Sequence, residues 1–197
     1  DCLLSRGLGD VYKRQEMTDQ MVLDLVDKGL VTDQLVLTIG YDIENLSNPN
    51  LKYQYKGEVT IDRYGRKVPK HAHGTANLEK KTSSTRLITN AVMDLYDRIV
   101  DEHLLVRRIT ITANKLVDEK SVKQEDEYQQ LDLFTDYEAQ RKKQAEEEEK
   151  LERERRMQEA MLSIKKKFGK NAVLKGMNLE EGATAKDRNE QIGGHKA

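Results

Sequence analysis

The sequence predicts an α+β fold of the βαββαβ type that lacks its first strand. Apolar residues recur at helical spacing in two segments and alternate in three others, in the order helix, strand, strand, helix, strand over residues 16–119. The chain has 197 residues, of which 37% are hydrophobic and 35% are charged, whereas soluble domains average about 45–50% and about 25%. We therefore expect one core of about 100 residues, with the rest solvated. In the usual 4-1-3-2 strand order, the last strand would lose its first-strand neighbour.

The first fifteen residues are set apart by a short segment, Asp10-Val11-Tyr12-Lys13-Arg14-Gln15. It matches the translation of a transposase adapter used in sequencing libraries, GAT-GTG-TAT-AAG-AGA-CAG. We expect residues 1–15 to be an adapter-derived artefact that contributes neither to the fold nor to the function, and Cys2 to go with them. The alternative is a chance match of six ordinary residues.

The first predicted helix and strand follow directly. A stripe of apolar residues at Met21, Val22, Leu25 and Val26 indicates a helix that begins at a Thr18 cap. Gly29 is expected to end that helix in a left-handed conformation. Apolar residues then alternate through residues 34–41, which predicts a half-buried strand.

The middle of the chain predicts a loop, a ribbon, a second strand, a helix and a third strand. Residues 44–57 are expected to form the loop, and residues 58–70 a small ribbon that turns near Gly65. A weak strand over 73–78 is followed by the strongest helical pattern, which starts after Thr82-Ser83-Ser84 and runs to Val100. The last strand covers 106–113, with Ile109 and Ile111 on one face.

The composition changes after about Glu119. Residues 120–137 are polar and predict a linker, residues 138–169 predict a solvated charged helix or short coiled coil, and residues 170–197 predict a polar tail. The helical stretch ends in a stripe of Met157, Met161, Ile164 and Phe168 before Gly169. No run of about 18 apolar residues occurs, which excludes a membrane-spanning helix.

The residues alone show no catalytic or metal site. A single cysteine excludes an intramolecular disulfide and a cysteine-based zinc site. His71 and His73 lack a third ligand cluster, so we interpret them as solvent-exposed or loop histidines. The acidic run Glu146–Glu149 lacks the alternating ligand pattern of a calcium loop, and we interpret it as a solvated helical face. No phosphate loop or nucleophile elbow is present.

A group of basic and hydroxyl residues near a strand and a helix start predicts contacts with a nucleic-acid backbone. Side chains of these types, together with a helix N-terminus, bind phosphates without reading bases. The alternative is scattered surface charge. The predicted DNA-binding residues are Lys80, Lys81, Ser83, Arg107, Arg108 and Thr110.

A short apolar island lies inside the polar linker. It consists of Gln130, Leu131, Asp132, Leu133 and Phe134. Exposed apolar islands in polar linkers commonly bind a pocket on a partner protein, so we predict a docking motif. The alternative is that these residues pack against their own domain.

This island resembles the bacterial sliding-clamp binding motif at all five positions. The domain before it is similar to the little-finger domain of Y-family translesion DNA polymerases, in particular the UmuC-like (ImpB/MucB/SamB) branch of Gram-positive bacteria. The likeness covers about residues 16–197. It rests on Leu37-Thr-Ile-Gly-Tyr41, Arg63-Tyr-Gly-Arg-Lys-Val-Pro-Lys-His-Ala-His-Gly74, Arg107-Arg108-Ile-Thr-Ile111, and the tail segments Lys165-Lys-Lys-Phe-Gly-Lys-Asn-Ala172, Lys175-Gly-Met-Asn-Leu-Glu-Glu-Gly182 and Arg188-Asn-Glu-Gln-Ile-Gly-Gly-His-Lys196.

The resemblance implies a cytoplasmic, nucleoid-associated protein that acts in translesion synthesis, DNA repair and the SOS response. Its expected partners are the template–primer DNA backbone and the bacterial sliding clamp, and it is not expected to bind a membrane. Family members use palm carboxylates and two Mg²⁺ ions. No acidic pair here follows the Ser-x-Asp-Glu pattern of the palm, so we expect the fragment to be inactive and its parent protein to be the polymerase. The alternatives are a non-catalytic nucleic-acid or coiled-coil adaptor and, with less support, a small independent enzyme.

Overall fold

A computed structural model describes residues 2–48, 55–122, 137–180, 183–192 and 195–196. The helices are α1 (Cys2–Lys28), α2 (Glu44–Ser47), α3 (Thr85–Ile99), α4 (Tyr137–Phe168) and α5 (Ala185–Asn189). The strands are β1 (Leu30–Tyr41), β2 (Val59–Ile61), β3 (Lys67–Pro69), β4 (Ala72–Thr82), β5 (Val106–Asn114), β6 (Val117–Asp118), β7 (Gln191–Ile192) and β8 (His195–Lys196). The fold is α+β, as the sequence predicts.

The main sheet is built around β1. Strand β4 pairs antiparallel with one edge of β1 and β5 with the other, so the order is β4-β1-β5. The short strand β6 adds a second pairing at the start of β1. Since both edges of β1 are occupied, its backbone groups between Gln34 and Ile39 are paired on two sides.

This order corrects the expected 4-1-3-2 arrangement. We expected the last strand to lie beside a missing first strand and to lose its ladder, but β5 pairs directly with β1 from Gln34 to Tyr41. Strand β1 is therefore central, whereas the expected order would have put it at an edge. Within the described residues, β4 and β5 each form their backbone hydrogen bonds directly with β1, and no further strand lies between them.

One face of the sheet carries the core. Alternate β1 residues point to this face and are fully buried, and α3 packs on them through its own apolar stripe. Helix α1 covers the other half of the same face. The buried apolar residues of the two joined clusters are Val22, Leu25, Val26, Leu35, Leu37, Ile39, Tyr41, Ile88, Val92, Leu95, Tyr96 and Leu104.

Helix α1 extends beyond the expected start. Thr18 lies in the middle of this helix and therefore does not cap it. Its side chain is buried, and its hydroxyl donates to the carbonyl of Arg14 at 2.8 Å. The Arg14 guanidinium lies 3.4 Å from the centroid of the Tyr96 ring on α3. Gly29, with a φ of +64°, ends the helix as the sequence predicts.

Helix α4 and the tail contact this core through a few residues, while most of α4 is exposed. Gln158 of α4 is 3% exposed, and Leu162 contacts the core cluster beneath α1 and α3. In the tail, Thr184 donates through its backbone N–H and its hydroxyl to the buried carboxylate of Glu16, in both cases at 3.2 Å. No helix among the described residues is long and apolar enough to span a membrane.

The approach of α3 to β4 depends on the absence of a side chain at Gly74. A methyl group there would lie 2.9 Å from both Leu95 Cδ1 and Ile99 Cγ2. We predict that Gly74→Ala lowers the free energy of unfolding by about 1–3 kcal/mol through overpacking. Gly40→Ala is the control, since its methyl group would point to the opposite face and its nearest neighbour would be Arg108 Cβ at 3.6 Å. Urea denaturation measures both, and equal stability of the two variants would contradict the packing argument.

Candidate nucleic-acid interface

The face of the sheet opposite the helices is lined by hydroxyl and amide side chains. Side chains on neighbouring strands form cross-strand rows, because residues that are opposite one another in an antiparallel ladder share a face. Most of these side chains are exposed on β4 and β5 and half-buried on β1. The rows are His73–Thr38–Thr110, Thr75–Val36–Thr112 and Asn77–Gln34–Asn114. We call this surface the open face.

Two hydrogen bonds join side chains of β1 and β4 within these rows. The Gln34 side-chain amide donates to Asn77 Oδ1 at 2.9 Å, and a hydrogen bond of 3.0 Å joins Thr38 Oγ1 to His73 Nδ1. These cross-strand bonds hold the polar side chains upright on the sheet. The open face thus offers donors and acceptors of the kind that contact phosphate and sugar oxygens.

A β-bulge places two arginines side by side at one end of the open face. Gly40 pairs with Arg108 and Tyr41 pairs with Val106, so Arg107 is an extra residue on β5. Val106 and Ile109 both pack against the core, although they lie three positions apart, an odd spacing that would put them on opposite faces of a regular strand. Without the bulge, Arg107 and Arg108 would point to opposite faces; with it, both are exposed.

Gly40 gives the second arginine room. A methyl group at Gly40 would lie 3.6 Å from Arg108 Cβ and 3.9 Å from Arg108 Nε, so the arginine side chain lies over the glycine. The guanidinium is therefore directed across the sheet, where it extends the row of polar side chains. Thr110 lies in the next row, so three of the predicted DNA-binding residues are together.

The other predicted basic residues lie at the far end of the sheet. Lys80 and Lys81 are exposed near the end of β4, beyond an irregularity between Thr32 and Gln34 of β1. The regular ladder from Gln34 to Gly40 spans about 20 Å, at about 3.3 Å per residue. Arg107 and Arg108 therefore lie at one end of the open face, and Lys80 and Lys81 lie beyond its other end, next to the exposed Glu79.

Ser83 does not belong to this surface. It is 7% exposed, its hydroxyl accepts from Arg155 at 3.3 Å, and its carbonyl accepts from Gln158 at 3.0 Å. The prediction of a phosphate contact at Ser83 is therefore not retained. The Ser83 hydroxyl is able to form such a contact, but Arg155 of helix α4 already occupies it.

The helix start that the sequence marked as an anion site holds a carboxylate. Glu154 of α4 accepts from Ser84 Oγ at 2.6 Å and from the backbone N–H of Arg86 at 2.9 Å. Ser84 itself caps α3 by accepting from the N–H of Leu87. A negative group at the N-terminus of a helix is stabilised by the free N–H groups and the helix dipole. Ion pairs of Arg155 with Glu119 and of Arg86 with Glu147 hold α4 at the same place.

The predicted clamp-binding residues Gln130, Leu131, Asp132, Leu133 and Phe134 lie outside the described residues. Among the described residues, no group of three His, Cys, Asp or Glu side chains could hold a metal ion. His71 and His73 stand edge to face with ring centroids 6.5 Å apart.

Three features of the surface were not found from the sequence. The first is the bulge, which breaks the alternation on which the strand prediction depends. The second is the polar open face itself, although the alternation of Thr110 and Thr112 with Ile109 and Ile111 is a signal that could have identified it. The third is the docking of α4, whose anchoring residue Gln158 is polar and gives no apolar periodicity.

The profile of the impB/mucB/samB family C-terminal domain matches residues 14–133. The chain belongs to this family. The match identifies it as a C-terminal portion of a UmuC-like, Y-family translesion polymerase, which confirms the resemblance seen in the sequence. It spans the helix–sheet domain and most of the segment that leads to α4. No curated protein and no solved structure matches the chain at a significant level.

The attachment of α4 can be tested at Gln158. Its side-chain amide donates to the Ser83 carbonyl and to Thr85 Oγ1 at 3.0 and 2.9 Å. We predict that Gln158→Ala lowers the free energy of unfolding by about 1–3 kcal/mol, because the buried carbonyl of Ser83 loses its hydrogen-bond donor. Amide hydrogen exchange in α4 should then be faster, measured by mass spectrometry. The control is Arg156→Ala, since Arg156 is exposed and, among the described residues, pairs only with Glu152 of its own helix. Unchanged exchange in the Gln158 variant would show that α4 is held elsewhere.

Proposed function

We propose that this chain binds the backbone of template–primer DNA and tethers an error-prone translesion polymerase to the bacterial sliding clamp. Membership of the impB/mucB/samB family supports the role in DNA repair and damage tolerance. The observation that carries the DNA-binding part is the open face, with Arg107 and Arg108 exposed together at one end. The parent protein would supply the catalytic carboxylates and their Mg²⁺ ions from its palm.

The chemistry of the open face fits backbone contacts better than base readout. Hydroxyl and amide groups form hydrogen bonds with phosphate and sugar oxygens, and arginines add charge-assisted bonds to phosphates. The regular ladder of about 20 Å exceeds the major-groove width of about 12 Å, so the charged ends can approach phosphates on both sides of a groove. Binding of this kind tolerates any sequence, as a polymerase that copies damaged templates requires.

The clamp-binding motif supplies the second contact. Its three large apolar residues and polar anchor, within a polar segment, support docking into a pocket on a partner. Two weak contacts on one chain reinforce each other, because the second becomes intramolecular once the first is made. We therefore propose that the sheet and the motif together keep the polymerase at its substrate.

The alternative of a coiled-coil adaptor is less well supported. In that function the charged helix would be the main interaction element. Helix α4 instead uses Gln158, Glu154 and Arg155 to bind its own domain. Its contacts favour a helix that is part of the domain's surface.

The DNA-binding proposal is tested by charge removal at the bulge. Arg107→Ala/Arg108→Ala should weaken binding to all duplex sequences alike. It should also reduce the slope of log affinity against log salt by about one for each phosphate that the variant no longer neutralises. Fluorescence anisotropy of labelled duplexes between about 50 and about 200 mM salt, a range over which phosphate-dominated binding weakens by orders of magnitude, measures both effects.

The control for this variant is Arg153→Ala/Arg156→Ala, which removes the same charge from exposed positions of α4. It should leave the affinity and the slope unchanged. A loss of affinity confined to particular sequences in the Arg107 and Arg108 variant would indicate base readout and contradict backbone binding.

The tethering proposal is tested at the two apolar anchors of the motif. Leu133→Ala/Phe134→Ala should abolish measurable binding to the clamp in calorimetry, since anchors of this kind each contribute about 2 kcal/mol or more. Met157→Ala/Phe168→Ala is the matched control, because both residues are large, apolar and exposed on α4. Full clamp affinity in the motif variant would refute the assignment.

A further inference from the structure

The hairpin β2–β3 presents an aromatic ring that the domain's own core does not use. Tyr64 at its tip is 66% exposed and Ile61 beside it is 72% exposed. The hairpin is anchored at its base, where Pro69 is fully buried. A large apolar surface held outward on a fixed support is typical of an interaction site.

The tip is rigid because one carboxylate organises it. Asp62 Oδ1 accepts from the backbone N–H groups of Tyr64 and Arg66 at 2.8 and 2.9 Å, and Oδ2 accepts from the Arg66 guanidinium at 2.8 and 2.6 Å. These hydrogen bonds, led by the one from the Arg66 side chain, lower the pKa of Asp62 to about 2. Gly65 completes the turn with a φ of +77°. The backbone of the turn that carries Tyr64 therefore has a defined conformation before any partner binds.

The surroundings of the ring are cationic. The guanidinium of Arg63 lies 4.8 Å from the centroid of the Tyr64 ring, and that of Arg66 lies 5.1 Å from it. The two acidic residues of residues 55–71 are neutralised within the hairpin, since Asp62 pairs with Arg66 and Glu58 pairs with Lys70. Within the described residues, Lys56, Arg63 and Lys67 form no ion pair and carry the excess positive charge.

The hairpin adjoins the arginine end of the open face. Strand β3 runs through Lys70 and His71 into β4, where Ala72 pairs with Ile39 of β1. The next residue of β1, Gly40, pairs with Arg108. The hairpin base and the Arg107–Arg108 bulge therefore meet at the same end of the sheet, on either side of β1.

We propose that the hairpin tip binds unpaired bases of a DNA strand, with Tyr64 as the stacking platform and Arg63 and Lys67 against the flanking phosphates. This inference rests on the proposed DNA-binding function and adds the single-stranded part of the template as a partner. An exposed ring flanked by cations matches the chemistry by which proteins bind single strands without sequence preference. Bases inside a duplex have both faces covered by their neighbours, so the ring selects a strand that has left the duplex.

The experiment compares two DNA molecules on the full chain. One is a blunt labelled duplex, and the other is the same duplex with a single-stranded 5′ overhang that carries 2-aminopurine. The wild-type chain should bind the overhang molecule more tightly and quench the 2-aminopurine emission by stacking. Tyr64→Ala should weaken binding to the overhang molecule by about five-fold or more and remove the quenching. Its binding to the blunt duplex should not change.

Two further variants isolate the ring. Tyr64→Phe keeps the aromatic face and should keep both the affinity and the quenching. Ile61→Ala removes exposed apolar surface from the same hairpin without removing the ring, and should keep the quenching. Circular dichroism melting of each variant confirms that the fold is intact.

The outcomes separate this inference from the proposed function. If Tyr64→Ala binds both DNA molecules like the wild type while Arg107→Ala/Arg108→Ala weakens both, the stacking role is overturned and the DNA-binding function stands. A protein partner would then fit the hairpin better. If the arginine variant has no effect on the blunt duplex, the proposed open-face function fails, whatever Tyr64 does.

Discussion

The pairing of β1 on both edges is the constraint on which the rest of the structure depends. A central strand with two antiparallel partners has its backbone hydrogen bonds satisfied by the sheet alone. Its buried residues can then be aliphatic on one face, where α1 and α3 pack, while the opposite face stays polar. The separation of a core face from an open face therefore follows from the position of one strand. The bulge arginines and the β2–β3 hairpin both lie at one end of that open face.

The bulge at Arg107 shows how core packing and surface charge are reconciled at the edge of this sheet. Val106 and Ile109 both have to reach the core, yet a regular strand would turn one of them outward. One extra residue restores both apolar contacts and leaves two arginines exposed. Core packing thus fixes the position of the arginine pair. Since β1 is rigid beneath it, the pair is also presented on a firm support, which a loop would not provide.

The order of helices and strands was predictable because alternation and helical stripes were strong in residues 16–119. The strand order was not, since several antiparallel arrangements bury the same apolar residues equally well. The helix boundary at Thr18 was wrong because a threonine can bond the carbonyl four residues before it inside a helix. Ser83 illustrates the limit for the candidate site. Its type and place predicted an anion contact, but its hydroxyl accepts from Arg155. The anion at this helix start is Glu154, which accepts from Ser84 and Arg86 and is 70 positions from Ser84 in the sequence.

The charge distribution explains why the proposed function needs two contacts. The chain has a formal net charge of −1, so no long-range field draws it to DNA and only local cations contribute. Four phosphate contacts, from Arg107, Arg108, Lys80 and Lys81, would give a salt slope of about 3.6, and affinity would fall about 150-fold for a four-fold rise in salt. Non-specific affinities at physiological salt are about 10⁻⁴ to 10⁻⁶ M.

A short tether changes this balance. It supplies an effective concentration in the millimolar range, at least about ten-fold above such a dissociation constant. A domain that dissociates readily when free would thus stay on DNA while its motif holds the clamp. It would leave when the clamp dissociates, because its own contacts are too few to retain it. In the proposed function, weak binding by the open face would therefore confine the polymerase's activity to sites where a clamp is present.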